Sequence, residues 1–200
     1  MKRLAILLSG RGSNFESIAD SIQEGHLPAR IELVVSNLAS AAGLEKARRR
    51  GLKTVVIPSA GLAREDYDRH LVDELTRHRV DLVCLAGFMR ILSPFFVRSF
   101  PNRILNVHPS LLPAFPGLHP QRQALESGVR ISGCTIHFVD EGLDSGPILL
   151  QASVPVLESD DEESLARRIL AEEHRLYPQA IGMLVRDKVN VEGRRVVRRS

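Results

Sequence analysis

Two hundred residues, 44% hydrophobic and 26% charged, have the make-up of an ordinary soluble globular domain with enough interior for a real core. The formal net charge of +3, the absence of Trp and an aromatic content of 4% argue against nucleic acid, whose recognition wants basic residues interleaved with aromatics. No apolar run approaches the ~20 residues of a membrane span, and two cysteines, Cys84 and Cys134, are too few for a disulfide framework, so a reducing cytoplasm is the expected setting.

The chain starts Met1-Lys2-Arg3-Leu4-Ala5-Ile6-Leu7-Leu8-Ser9, whose apolar stretch is too short for a signal peptide and reads as a first buried strand. Further short runs rich in Leu, Ile and Val lie at 31–35, 54–57, 80–86 and 103–107. Such runs are expected of strands covered on both faces, hence of a parallel sheet. Helix-like segments alternate with them. Residues 41–50 end at Gly51, a suitable C-cap. Over 64–78, Tyr67, Leu71 and Leu75 form an inward stripe, while Arg64, Glu65, Asp68 and Arg69 are expected to face water. Strand–helix alternation with short connections predicts a doubly wound α/β fold, in which ligands collect at the carboxyl ends of the strands.

The first strand ends in Ser9-Gly10-Arg11-Gly12-Ser13-Asn14. Two glycines permit a tight turn that exposes backbone N–H groups, and a following helix N-terminus favours an anion such as a phosphate. The dinucleotide fingerprint is not met, because Phe15 stands where a third glycine belongs and the second strand ends in Ser36-Asn37 without an acidic residue. No Gly-Lys-Ser/Thr follows, so the loop is not a P-loop; a plain tight turn is the other reading. After the strand at 80–86, the apolar Phe88-Met89-Arg90-Ile91-Leu92 either lines a cleft for a flat ring or covers the core.

The most telling stretch is Asn106-Val107-His108-Pro109-Ser110-Leu111-Leu112-Pro113. Side chains alternate along a strand, so Asn106 and His108 project from one face, and the prolines forbid a helix just beyond. An amide donor beside a titratable base at a strand end suits transfer of an acyl-type group. Residues 131–139 then alternate as a half-exposed strand, with Cys134, Ile136 and Phe138 on one face and Thr135 and His137 on the other. In the Gly-punctuated loop from Asp140 to Pro147, Asp144 is either a turn residue or a carboxylate able to approach and orient the imidazole.

A strand at 148–156 follows. Ser159 to Glu163 then supply an N-cap and first-turn acids for a helix running to about Tyr177. Along it Glu173 interrupts the stripe Leu165, Ile169, Tyr177, Ile181, so the carboxylate is satisfied either by a structural partner or by ligand hydroxyls. Lys188 to Val197 read as a terminal hairpin, near which Arg194, Arg195, Arg198 and Arg199 concentrate the positive charge. The separations of His108, His119, Cys134, His137 and Asp144 fit no zinc spacing, so no metal is expected. Ser110 lacks a G-x-S-x-G elbow.

Taken together, Ser9 to Asn14, Ala86 to Leu92, Asn106 to Pro113, Phe115-Pro116-Gly117, Asp140 to Pro147 and Glu173-His174 resemble the folate-dependent glycinamide ribonucleotide formyltransferases of purine biosynthesis. The resemblance covers nearly the whole chain in order. It implies one formyltransferase domain over 1–200, with a phosphate-binding half at about 1–100, a folate and catalytic half at about 101–200, and antiparallel additions to the mostly parallel Rossmann-like sheet. It implies a cytoplasmic enzyme, monomer or homodimer, that acts on phosphoribosylglycinamide with 10-formyltetrahydrofolate as co-substrate. By the same similarity Gly12, Ser13, Asn14, Pro109 and Glu173 hold the ribonucleotide. Arg64, Leu85, Met89, Arg90, Ile91, Leu92, Val97, Asn106 and Asp140 hold the folate, and Asn106, His108 and Asp144 are the catalytic trio. Leu112-Pro113 resembles the family's cis peptide. Ala114-Phe115 and Pro120-Gln121 depart from the common pattern, which affects loop contacts. A formyltetrahydrofolate hydrolase or a non-catalytic nucleotide-binding module are the alternatives.

Overall fold

Strand β1 (Lys2–Leu8) has Leu4 through Leu8 fully buried, as a strand covered on both faces must. In the computed structural model, which describes residues 1–199, the chain divides into two units, Met1–Asn106 and Val107–Ser200. The first unit continues with α1 (Ser13–Gln23), β2 (Ala29–Ser36), α2 (Ala42–Arg49), β3 (Thr54–Val56), α3 (Arg64–Arg77), β4 (Leu82–Leu85), α4 (Pro94–Ser99) and the start of β5 (Ile104–His108). Its strands pair in parallel in the order β3-β2-β1-β4-β5. The order reverses beside β1, which makes the carboxyl ends of β1 and β4 the topological switch point where doubly wound folds take their ligands.

Two expectations for this unit need correction. Asp68 does not face water with its helical neighbours; it is 1% exposed, and its carboxylate accepts a hydrogen bond from Ser93 N at 2.6 Å. Burial pushes its carboxyl up, against the opposing pull of the Ser93 bonds and of Arg90 and Arg64. Helix α4 was not anticipated, because six residues hold too little periodicity to read; Ser93 caps it by accepting from Phe96 N, and Pro94 occupies its first turn.

The second unit holds α5 (Pro120–Glu126), the antiparallel pair β6 (Ile131–Phe138) and β7 (Ile148–Pro155), the long α6 (Glu162–Val185), and the hairpin β8 (Val189–Glu192) and β9 (Arg195–Arg198). Helix α5, seven residues long, is likewise below the reach of a periodicity argument. The half-exposed reading of β6 is wrong: every residue from Ser132 to Phe138 is buried, on both faces. Polar residues on the second face imitate an exposed side, yet Thr135 is spent internally. Its hydroxyl donates to Ser110 O (2.7 Å) and accepts from Leu112 N (3.0 Å) and Gln151 Nε2 (2.9 Å).

Helix α6 starts within the expected Ser159–Glu163 stretch, where Asp161 is the N-cap and forms a capping box with Ser164, but it departs from expectation at its other end. The helix passes through Pro178 to Val185 instead of ending near Tyr177. A proline inside a helix forfeits one backbone bond, but Leu176, Tyr177, Ala180 and Ile181 are all buried and hold the register. Glu173 lies on this inward stripe at 6% exposure.

Two outcomes follow from β6. A Cβ on Gly133 would stand 2.0 Å from Ala152 O of β7, a backbone atom that has no room to move. Gly133→Ala should therefore cost about 3 kcal/mol in urea unfolding; a loss under about 0.5 kcal/mol would show that the pair relaxes freely. His137, 2% exposed, has its basicity lowered first by burial, with smaller raising effects from its bond to Phe138 and from Asp144. The folded state then binds fewer protons than the unfolded one, so stability falls as pH drops through the ordinary imidazole range near ~6.5. His137→Gln should flatten that decline; an unchanged slope would locate it elsewhere.

Candidate active site

At the switch point, β1 and β4 are knotted together just past their ends. Ser9 N donates to Gly87 O (3.0 Å) and Met89 N to Ser9 Oγ (2.9 Å), while Ser9 Oγ donates to Asn37 Oδ1 (2.6 Å) after β2. Gly12 takes φ +74° as N-cap of α1, which has no side-chain cap. The helix thus starts with its first amides open to an anion rather than satisfied by a Ser or Asp oxygen. A Cβ on Gly12 would lie 2.7 Å from Gly43 Cα, and one on Gly43 would lie 2.7 Å from Leu8 Cδ2. Gly43 N also donates to Gly10 O (3.0 Å). The loop's shape therefore depends on Gly43 of α2, a partner no local motif reveals. Ser13 and Asn14 form the first turn.

After β4, the segment from Gly87 carries Met89 (72% exposed) and Ile91 (59% exposed) outward, while Leu85 and Leu92 are buried. Val97 lies on α4 and is partly buried. Arg64, the first residue of α3, and Arg90 are both near enough to Asp68 to pull on its carboxyl. Exposed apolar side chains on the segment that also carries Arg90 could take a flat, anionic organic molecule.

Asn106 and His108 sit two apart on β5, as alternation requires. His108 is buried, with Nε2 2.8 Å from Phe115 O and Nδ1 3.4 Å from Asp144 Oδ2. A carbonyl only accepts, so Nε2 carries a proton; the Nδ1 side faces a carboxylate. Phe115 aims its carbonyl at the ring from a left-handed backbone (φ +55°), and Asp144 is likewise left-handed (φ +48°). Gly117 N donates to Asp144 Oδ2 at 2.8 Å, and His137 Nε2 stands 3.9 Å from Oδ1. Asp144 is thus flanked by two imidazoles and a backbone amide. Asp140 ties the same loop by accepting from Gly142 N (3.1 Å) and Ser145 Oγ (2.8 Å). Pro109 follows β5 directly, and Leu112–Pro113 is cis.

Sequence reasoning brought His108 and Asp144 together correctly but missed three supports: the Phe115 carbonyl, Gly43, and His137 as second neighbour of Asp144. For His137 a signal existed, since it precedes the Asp140–Pro147 loop on the polar face of its strand. A carbonyl donated by a left-handed phenylalanine leaves no such trace. Among the described residues no group of three or more His, Cys, Asp or Glu is placed to hold a metal ion, and no helix is long and apolar enough to cross a membrane.

A family model described as formyl transferase matches residues 2–181. The phosphoribosylglycinamide formyltransferase of Escherichia coli (strain K12) is 48% identical over 179 residues, 89% of this chain and 84% of that protein. The trifunctional purine biosynthetic protein adenosine-3 of Drosophila melanogaster is 50% identical over 187 residues, 92% of this chain, although the chain spans 14% of that protein's length. Among solved structures, glycinamide ribonucleotide transformylase 1 from Symbiobacterium toebii matches with a TM-score of 0.98 at 52% identity, covering 100% of this chain and 95% of that one. A family match over almost the entire length, on a doubly wound and mostly parallel α/β fold with antiparallel strands in its C-terminal half, makes the chain a member of the formyl transferase family.

Proposed function

We propose that the chain transfers the formyl group of 10-formyltetrahydrofolate to the amine of 5-phosphoribosylglycinamide, giving the N-formyl product and tetrahydrofolate in purine biosynthesis. The observation that carries this reading is the buried His108 ring, held between the Phe115 carbonyl and Asp144 on the strand that also bears Asn106. Phe115 O accepts from Nε2–H while Asp144 faces Nδ1, so the ring is presented as a hydrogen-bond donor, as a group that must donate to a developing oxyanion needs.

The residues present suit both ligands. Gly12, Ser13 and Asn14, at an uncapped helix start shaped by a glycine–glycine contact, offer backbone amides to the ribonucleotide phosphate. Pro109 borders the same ligand, and the buried carboxylate of Glu173 accepts from ribose hydroxyls. The exposed Met89 and Ile91, the backbone of Met89 to Leu92, and the Arg90 and Arg64 guanidinium groups hold the folate, with Leu85 and Val97 walling its ring and Asn106 and Asp140 contacting it. Partners are these small molecules, not nucleic acid or membrane, in the cytoplasm, and the assembly is a monomer or homodimer.

In the reaction the substrate amine attacks the formyl carbon and the carbonyl oxygen becomes negative. Asn106 Nδ2–H and the protonated His108 ring donate to that oxygen, the Nε2 proton exchanging Phe115 O for it. Asp144 fixes the ring plane from the Nδ1 side. The bond from carbon to the folate nitrogen then breaks, and a water carries a proton from the attacking amine to the leaving nitrogen.

Asn106→Ala, His108→Ala and Asp144→Ala should each lower kcat by ~10²–10³-fold, the usual cost of losing one oxyanion donor or its support. A near-normal kcat for His108→Ala would remove it from the chemistry. Gly12→Val should instead raise KM for the ribonucleotide sharply, since the added side chain meets Gly43 backbone; an unchanged KM would move the phosphate elsewhere. Consumption of 10-formyltetrahydrofolate should require the ribonucleotide. Consumption in its absence would make water the acceptor and the enzyme a hydrolase.

A further inference from the structure

Tyr67, on the inward stripe of α3, has its ring fully buried, and the guanidinium carbon of Arg90 sits 4.5 Å from the ring centroid. That is well within the ~6 Å over which an aromatic face attracts a cation. The contact is unusual for what it lacks. Neither the Tyr67 hydroxyl nor Arg90 Nε, both buried, has a hydrogen-bond partner. No carboxylate among the described residues forms an ion pair with Arg90; Asp68, near enough for Arg90 to pull on its carboxyl, accepts from Ser93 N with one oxygen. Most other arginines of the first unit that have partners use acids for them, including Arg3 with Asp81, Arg50 with Asp20 and Arg69 with Glu65.

A carboxylate partner and a ring partner differ in one respect that matters for binding. A carboxylate neutralises the guanidinium and occupies its N–H donors, which an incoming anion must then win back. A ring face holds the cation by its quadrupole and leaves the terminal N–H groups unspent. Burial also pushes the Tyr67 hydroxyl up to about 12, so the ring stays neutral and never becomes a competing phenolate. The guanidinium over Tyr67 is therefore held in place with no carboxylate ion-paired to it, beside the outward Met89 and Ile91.

We propose that Tyr67 is a positioning residue for the folate co-substrate: its ring face holds Arg90 in place without an ion-paired carboxylate on its N–H donors, so that the guanidinium meets a carboxylate of the folate's glutamate. This rests on the reading that Arg90 contacts folate, and the experiment separates the two. Steady-state kinetics are measured with each substrate varied in turn. Tyr67→Leu should raise KM for 10-formyltetrahydrofolate by ~3–10-fold, the size expected from a cation–π contact of ordinary strength. It should leave kcat and KM for the ribonucleotide within about twofold. Tyr67→Phe, which keeps a ring face, should restore the folate KM.

Because a leucine at a fully buried site can cost stability, a pentafluorinated phenylalanine at position 67 gives a second test. It has nearly the same shape with the charge on its face reversed, and should raise KM as leucine does. In an Arg90→Met background, Tyr67→Leu should add nothing further. A wild-type folate KM with the fluorinated ring, or a full additional effect of Tyr67→Leu when Arg90 is Met, would overturn the role of Tyr67. If Arg90→Met alone left the folate KM unchanged, the folate contact itself would fail, and Tyr67 with it.

Discussion

A carboxylate drawn partly out of water must be surrounded by hydrogen-bond donors. Asp144 meets that demand with a backbone amide from Gly117 at 2.8 Å on one oxygen, the His108 ring at 3.4 Å on the same oxygen, and the His137 ring at 3.9 Å from the other. Much of the second unit serves this arrangement. Asp140 winds the loop that carries Asp144, Thr135 and Gln151 clamp the backbone of residues 110–112, and the chain beyond them turns left-handed at Phe115 to present its carbonyl to His108. His108 is thereby fixed on both sides. Its plane is set by these bonds, which is the preorganisation that the proposed oxyanion stabilisation depends on.

The first unit uses a different device. Its proposed ligand surface lies at the reversal of strand order, where Ser9 and Asn37 bind the ends of three strands to one another and the Gly12–Gly43 contact brings helix α2 against the turn. Here backbone does the work: amides at the start of α1, and a segment from Gly87 that leaves Met89 and Ile91 outward. A close glycine pair is costly in flexibility and tolerates no Cβ, so its presence marks a place where the shape of the loop matters more than its local stability.

Much of this was legible in the sequence. Buried strands announced themselves as short Leu/Ile/Val runs, the stripe Tyr67, Leu71, Leu75 located the inward face of α3, and the two-residue spacing of Asn106 and His108 placed both on one side of β5. What failed did so for identifiable reasons. Asp68 and Thr135 are polar residues satisfied by backbone groups far away in sequence, so burial could not be read from their type. Pro178 reads as a helix stop because local cost is visible in sequence, whereas the packing of Leu176, Tyr177, Ala180 and Ile181 that overrides it is not. Phe115 contributes a carbonyl, and a main-chain group has no sequence signature. The roles proposed for Glu173 and Arg64 rest on family resemblance, since periodicity left Glu173 open between two readings and put Arg64 on the water-facing side of its helix.

The central claim is that an amide and a protonated imidazole from one strand act on one oxygen. A crystal structure with the ribonucleotide and a non-transferable acyl analogue of the folate bound tests this most directly. Asn106 Nδ2 and His108 Nε2 should both lie about 2.7–3.1 Å from the analogue's carbonyl oxygen, with Phe115 O released and Asp144 still against Nδ1. An oxygen held by other groups, with His108 still bonded to Phe115, would contradict it.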